Sequence, residues 1–153
     1  MMSRSLPQID NLVRHSGTML LIDRLVEASD IHAVAEVTIS EGSTFYREGC
    51  GVPAYVGLEY LAQTIAAYDG ALRHVTGAPP EIGFLLGTRR YKAACGYFTM
   101  GETLRIHVDM TFNENGMAAF DGVIRIDGED RVTASINVYR PEDGVFDMPQ
   151  EMS

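Results

Sequence analysis

From Val52 to Gly77 apolar residues recur at helical spacing: Val56, Ala62, Ile65, Ala66 and Leu72, with Leu58 and Leu61 widening the band. The pattern predicts one long, mostly buried helix. Pro53 suits its first turn, where a missing N–H costs nothing, and Gly77 followed by Pro79 and Pro80 forbids continuation. Almost everything after it has the period of a strand. Met19 to Ala28 and His32 to Ile39 read as two strands before the helix. Ile82 to Cys95, Thr103 to Asn113, Met117 to Asp127 and Val132 to Tyr139 read as strands after it, with turn signals at Asn113 to Gly116 and Gly128 to Asp130. The stretch 7–13 could add one or two helical turns. Ser40 to Gly51 mixes Gly42, Gly49 and Gly51 with Phe45, Tyr46 and Cys50, which suits an ordered loop, and the acidic tail after Pro141 is expected to be mobile. Two strands, a long helix and further strands joined by short turns predict an α+β fold, an antiparallel sheet curled around one central helix. A single helix leaves part of such a sheet uncovered, so a dimer is expected.

One charge interrupts the apolar band of the helix. Glu59 lies between Leu58 and Tyr60, where a carboxylate must give up water, and such a group is a candidate to exchange a proton with a substrate. Gln63, one turn further on, falls on the same face and can orient that carboxylate.

Composition narrows the rest. The chain of 153 residues suits a single domain, 1–153, and its net charge of −9 argues against nucleic-acid binding and gives no polybasic membrane signal. No apolar run reaches the roughly 20 residues of a membrane span, and the first residues lack the apolar core of a secretory signal, so a cytoplasmic protein is expected. Cys50 and Cys95 have no metal-pair spacing and read as reduced thiols. His32, His74 and His107 have no metal-ligand spacing either and read as structural; no cofactor is expected. Arg89, Arg90 and Lys92 form the densest basic cluster in an acidic chain, and alternation puts Arg90 and Lys92 on one face and Arg89 on the other.

Three local matches carry a resemblance to a known family. HSGTMLLIDRL at His15 to Leu25 is similar to the Pro-His-Arg-Tyr-Pro-Phe-Leu-Leu-x-Asp-Arg segment of the hotdog-fold 3-hydroxyacyl-ACP dehydratases of fatty-acid synthesis, sharing His15, Leu20, Leu21, Asp23 and Arg24. In the helix, Pro53, Val56, Glu59, Ala62 and Gln63 fall where that family has a Pro, an apolar residue, the catalytic Glu and an Ala-Gln pair. GFLLGTRRYKAACGYFTMGETLRIHV resembles the strand, basic segment and Gly-Asp/Glu turn that follow. The family's catalytic His sits in a His-Phe-Pro-Gly loop before the helix, whereas the loop here, FYREGCGVPAY, is shorter and has no His. The pattern looks closer to the dehydratase-like proteins of aryl polyene pigment clusters, which resemble this chain in both the HSGxMLLxDR-like start and the VPAxxGxEYxAQ-like helix.

The resemblance implies a lyase that forms a 2-enoyl thioester, with Glu59 and His15 as its acid/base pair. The N–H groups of Ala54 and Tyr55, at the helix start, would polarise the thioester carbonyl. Gln63 would orient Glu59, and Arg90 and Lys92 would receive an acidic acyl carrier protein. Cys50 as a nucleophile is the weaker reading, because no His lies near it in sequence. Two other functions fit the same residues: a hotdog thioesterase in which Glu59 activates water, and a non-catalytic subunit that pairs with an active dehydratase. The assembly is accordingly expected to be a homodimer or a heterodimer with a related hotdog subunit.

Overall fold

The computed structural model describes residues 20–76 and 85–139. Five expectations fall outside that range: the helical turns at 7–13, His15, the helix stop at Gly77, the side chain of His74 and the tail after Pro141.

The chain runs as β1 (Arg24–Ala28), β2 (His32–Thr38), β3 (Val52–Pro53), a 3-10 turn (Ala54–Val56), α1 (Gly57–Thr76), β4 (Leu85–Ala93), β5 (Tyr97–Phe98), β6 (Thr103–Glu114), β7 (Met117–Ile126) and β8 (Glu129–Tyr139). Six strands form one antiparallel sheet in the order β1-β2-β6-β7-β8-β4, and β3 pairs with β5 in a separate two-stranded ladder. The expected α+β arrangement, a sheet around one long helix, is what forms. Two hairpin turns set the β6-β7-β8 meander. Asn115 and Gly116 join the first pair and Asp127 and Gly128 the second, all four with positive φ, as two-residue turns that follow the strand twist require. The second turn therefore begins one residue earlier than the sequence pattern suggests.

Alternation decides which side of the sheet meets the helix. Ala33, Ala35 and Val37 of β2, Leu104, Ile106 and Val108 of β6, and Val132, Ala134, Ile136 and Val138 of β8 are buried. They meet Tyr60, Leu61, Ile65 and Tyr68 of α1 in one core. Small residues let the helix come close: a Cβ on Gly122 would lie 2.7 Å from Leu61 Cδ2. Further along, the rings of Tyr68 and Phe120 meet edge to face at 5.5 Å.

Two elements begin later than the apolar pattern predicts. β1 starts at Arg24: the Leu21 N–H goes to a helix side chain, while Asp23 gives its N–H to the Glu36 carbonyl of β2 at 2.8 Å and its carboxylate accepts the Thr38 N–H at 2.9 Å. The helix starts at Gly57 because Val52 pairs with Phe98, and the Ala54 N–H goes to the Gly96 carbonyl at 2.9 Å. The loop before it is ordered, as expected, with bonds from Arg47 N–H to Gly51 O and from Cys50 N–H to Arg47 O. Gly51 has no substitute there. Its φ is +117°, and a Cβ would lie 2.2 Å from the Phe98 carbonyl oxygen. Among the described residues no helix is long and apolar enough to cross a membrane.

Candidate active site

Glu59 sits in the first turn of α1 and is half-buried rather than sealed in the core. Gln63, 1% exposed, lies one turn later on the same face, and its Nε2 donates to Glu59 Oε2 at 3.2 Å. The other end of that amide is fixed from outside the helix: Gln63 Oε1 accepts the Leu21 N–H at 2.7 Å. That donor dictates which way the amide points, so the N–H2 end must face the carboxylate. The same bond ties Leu21, just before β1, to the helix beside Glu59.

The helix start is pinned differently from expectation. Ala54 is not a free donor, since its N–H is spent on Gly96. Val56 and Gly57 lie far enough into the 3-10 turn to bond back along it, and Gly57 caps it through the Ala54 carbonyl. Tyr55 is left as the first-turn position whose N–H has no intrahelical acceptor. Its side chain is exposed, and its hydroxyl accepts from Arg47 Nη2 at 3.0 Å.

Tyr60, next along the helix, points about 100° away from Glu59. It floors a cavity of about 240 Å³ walled by Leu21 and Val37 and rimmed by Asp23, Thr38 and Ser40. Burial, reinforced by Asp23, pushes its phenol up to about 12, so it stays protonated at neutral pH.

Arg90 and Lys92 share a face, as alternation predicts. They pair with Ser135 and Thr133 of β8, are exposed, and have no carboxylate partner among the described residues. The register slips between Thr88 and Arg90, so Arg89 is the extra residue of a bulge rather than a member of the opposite face. Tyr91, between the two cations, turns inward and donates its hydroxyl to the Ala54 carbonyl at 2.6 Å. The sequence singled out its neighbours and passed it over. Its inward direction was nonetheless implied by the alternation that sends Arg90 and Lys92 outward.

The structure thus brings Tyr55, Glu59, Gln63 and Tyr91 to the N-terminal end of α1, with the Arg90–Lys92 pair on the far face of edge strand β4. His32 and His107 are remote from this end. They sit on the outer face, where His32 Nδ1 lies 2.5 Å from Asp109 Oδ1 and the two rings are 5.9 Å apart. Cys50 is exposed and Cys95 half-buried, both as thiols. No group of three metal-ligating side chains occurs among the described residues.

Comparison with known proteins bears on the family and the fold. A family model described as ApeP-like, ApeP dehydratase, matches residues 7–150. The 3-hydroxyacyl-[acyl-carrier-protein] dehydratase FabZ of Vibrio parahaemolyticus is 29% identical over 147 residues, covering 90% of this chain and 94% of that protein. Among solved structures, the dehydratase heterocomplex ApeI:P from Xenorhabdus doucetiae superposes with a TM-score of 0.82 at 26% identity, over 92% of this chain and 94% of that one. A hypothetical thioesterase from Streptococcus pneumoniae, solved with coenzyme A, shares the fold alone, with a TM-score of 0.57 at 11% identity over 76% of this chain and 84% of that one.

Proposed function

The chain belongs to the ApeP-like dehydratase family, and from that premise we propose that it removes water from a 3-hydroxyacyl thioester carried on an acyl carrier protein. The product is the 2-enoyl thioester, in a synthesis of the aryl polyene or fatty-acid kind, and the reaction is assigned to the cytoplasm. The observation that carries this reading is the fixed carboxylate. Glu59 is held by an amide that is itself held by the main chain, which suits a group that must meet a substrate proton in one geometry.

The chemistry follows from the groups available. Glu59, accepting an N–H on Oε2, is set up as the base that takes the C2 proton through Oε1. The electron pair from that C–H bond moves toward the thioester carbonyl, where the Tyr55 N–H and the positive end of α1 stabilise the oxygen. As the pair returns to form the C2–C3 double bond, the C3 hydroxyl leaves and needs a proton to depart as water. His15 is assigned that proton. What supports the assignment is that Leu21, six residues after His15 in sequence, is held at the helix beside Glu59.

The carrier is assigned to Arg90 and Lys92. Their place on the outer face of an edge strand suits an acidic partner that docks outside the sheet and threads its arm around the edge. The second hotdog subunit is assigned to the same assembly, as a further copy or as a related chain; the relative from Xenorhabdus doucetiae is itself described as a heterocomplex.

Hydration of a short 2-enoyl thioester, followed by loss of its ultraviolet band, tests the reading. Glu59→Gln and His15→Ala are each expected to remove most turnover, with the double variant little worse than either. Wild-type turnover in Glu59→Gln would overturn the dehydratase assignment. Thiol release would point instead to a hydrolase, and turnover only after mixing with a second hotdog chain to a supporting subunit.

A further inference from the structure

Between Pro53, which has no N–H, and the regular turns of α1, the backbone at Ala54 is tied at both ends. Its N–H is given to Gly96 O at 2.9 Å, and its carbonyl accepts the Tyr91 hydroxyl at 2.6 Å as well as the Gly57 cap. The carbonyl of Ala54 and the N–H of Tyr55 belong to one planar trans peptide and point in opposite directions. Whatever holds the first therefore aims the second. We propose that Tyr91 is a positioning residue: its phenol fixes the Ala54–Tyr55 peptide so that the Tyr55 N–H faces the thioester carbonyl beside Glu59.

Three further observations support this role. The Ala54 carbonyl accepts from both Tyr91 and Gly57, so it points along the helix and the opposed Tyr55 N–H points out of the helix start. Glu59 is one helical turn from Tyr55 and on the same side. The phenol also occupies space that the sequence keeps open for it, since a Cβ on Gly57 would lie 2.3 Å from the Tyr91 hydroxyl oxygen, with Ile124 Cδ1 and Phe98 Cζ at 3.1 and 3.3 Å. Burial holds the phenol well above its ordinary range, which keeps it a donor throughout the working pH range. A carbonyl that accepts such a bond also polarises its own peptide and makes the N–H a better donor. The same strand thus sends two cations outward and one phenol inward.

The inference rests on the dehydratase reading, and the test separates the two. The probe is a short 2-enoyl thioester, followed by hydration rate and by the infrared stretch of its carbonyl when bound. Tyr91→Phe keeps the ring and removes only the hydroxyl. It is expected to lower kcat about 10- to 100-fold with KM within about twofold, and to move the bound carbonyl stretch back toward its value in water. Gly57→Ala, which pushes the phenol away, is expected to do the same. In the Tyr91→Phe background Gly57→Ala should lower kcat much less than it does in the wild type, because the 2.3 Å contact is gone and only the contacts with Ile124 and Phe98, at 3.1 and 3.3 Å, remain. Unchanged kcat and carbonyl frequency in Tyr91→Phe, with an active wild type, overturns the positioning role and leaves the dehydratase reading standing. A wild type that shifts the carbonyl but does not hydrate, with the shift lost in Tyr91→Phe, keeps the positioning role and overturns the reaction. No shift and no hydration overturns both.

Discussion

Gln63 shows how much one side chain decides at the site. Its amide oxygen satisfies a main-chain donor and its amide nitrogen holds Glu59, so the two functions separate in variants. Gln63→Leu leaves the Leu21 N–H without an acceptor and should lower stability by about 1–3 kcal/mol along with activity, read by thermal unfolding and turnover. Gln63→Glu restores an acceptor for Leu21 but sets a second carboxylate against Glu59. The acid limb of its pH–rate profile should move upward by about a unit or more, because two close carboxylates share a proton. Glu59 and Gln63 were legible as a helical pair because spacing alone puts them on one face. The link to Leu21 was not, since nothing local tells which main-chain group a buried amide will meet. Ala54 was misjudged for a similar reason. Its N–H is captured by Gly96, next to a strand of two residues, Tyr97–Phe98, too short to show any period.

Elements were easier to read than their ends. The helix stood out through its wide apolar band and the meander through strict alternation, but the start of α1 moved to Gly57 once Val52 found Phe98 across the chain. The bulge in β4 was invisible because a run of basic residues carries no apolar period to interrupt. Contact between elements yields its own prediction. Leu61, fully buried, rests in the notch over Gly122, and a methyl group there would sit 2.7 Å from its Cδ2. Gly122→Ala should therefore cost about 1–3 kcal/mol through forced repacking. Leu61→Ala alone should also destabilise, and the pair together should lose less than the two separate losses combined, as a double-mutant cycle in denaturant would show.

For the molecule as a whole, the outer face of the sheet carries the charge. Glu36 of β2 links Arg24 of β1 and Arg105 of β6, each at 2.6 Å, and His107 lies beside this ladder. Partial burial, then Arg125, His32 and Arg105, hold the His107 imidazole below its ordinary 6.5. The unfolded chain thus takes up that proton first as the pH falls, and folding stability declines below about pH 6.5. His107→Gln should flatten the fall in melting temperature between roughly pH 6.5 and 5 relative to wild type, as calorimetry would show. Strand order was the part least open to reading, because a period reports which face of a strand is buried and never which neighbour it takes. That order also governs how the chain comes into being. Among the described residues β4 is the next element after the helix, yet its partner in the sheet is β8, the last described strand to be made. On a ribosome adding roughly 5–20 residues per second, β4 must wait some seconds with its edges unpaired. The local β6-β7-β8 meander can close on itself in that interval, and Tyr91 reaches Ala54 in its final setting only when the last strand arrives.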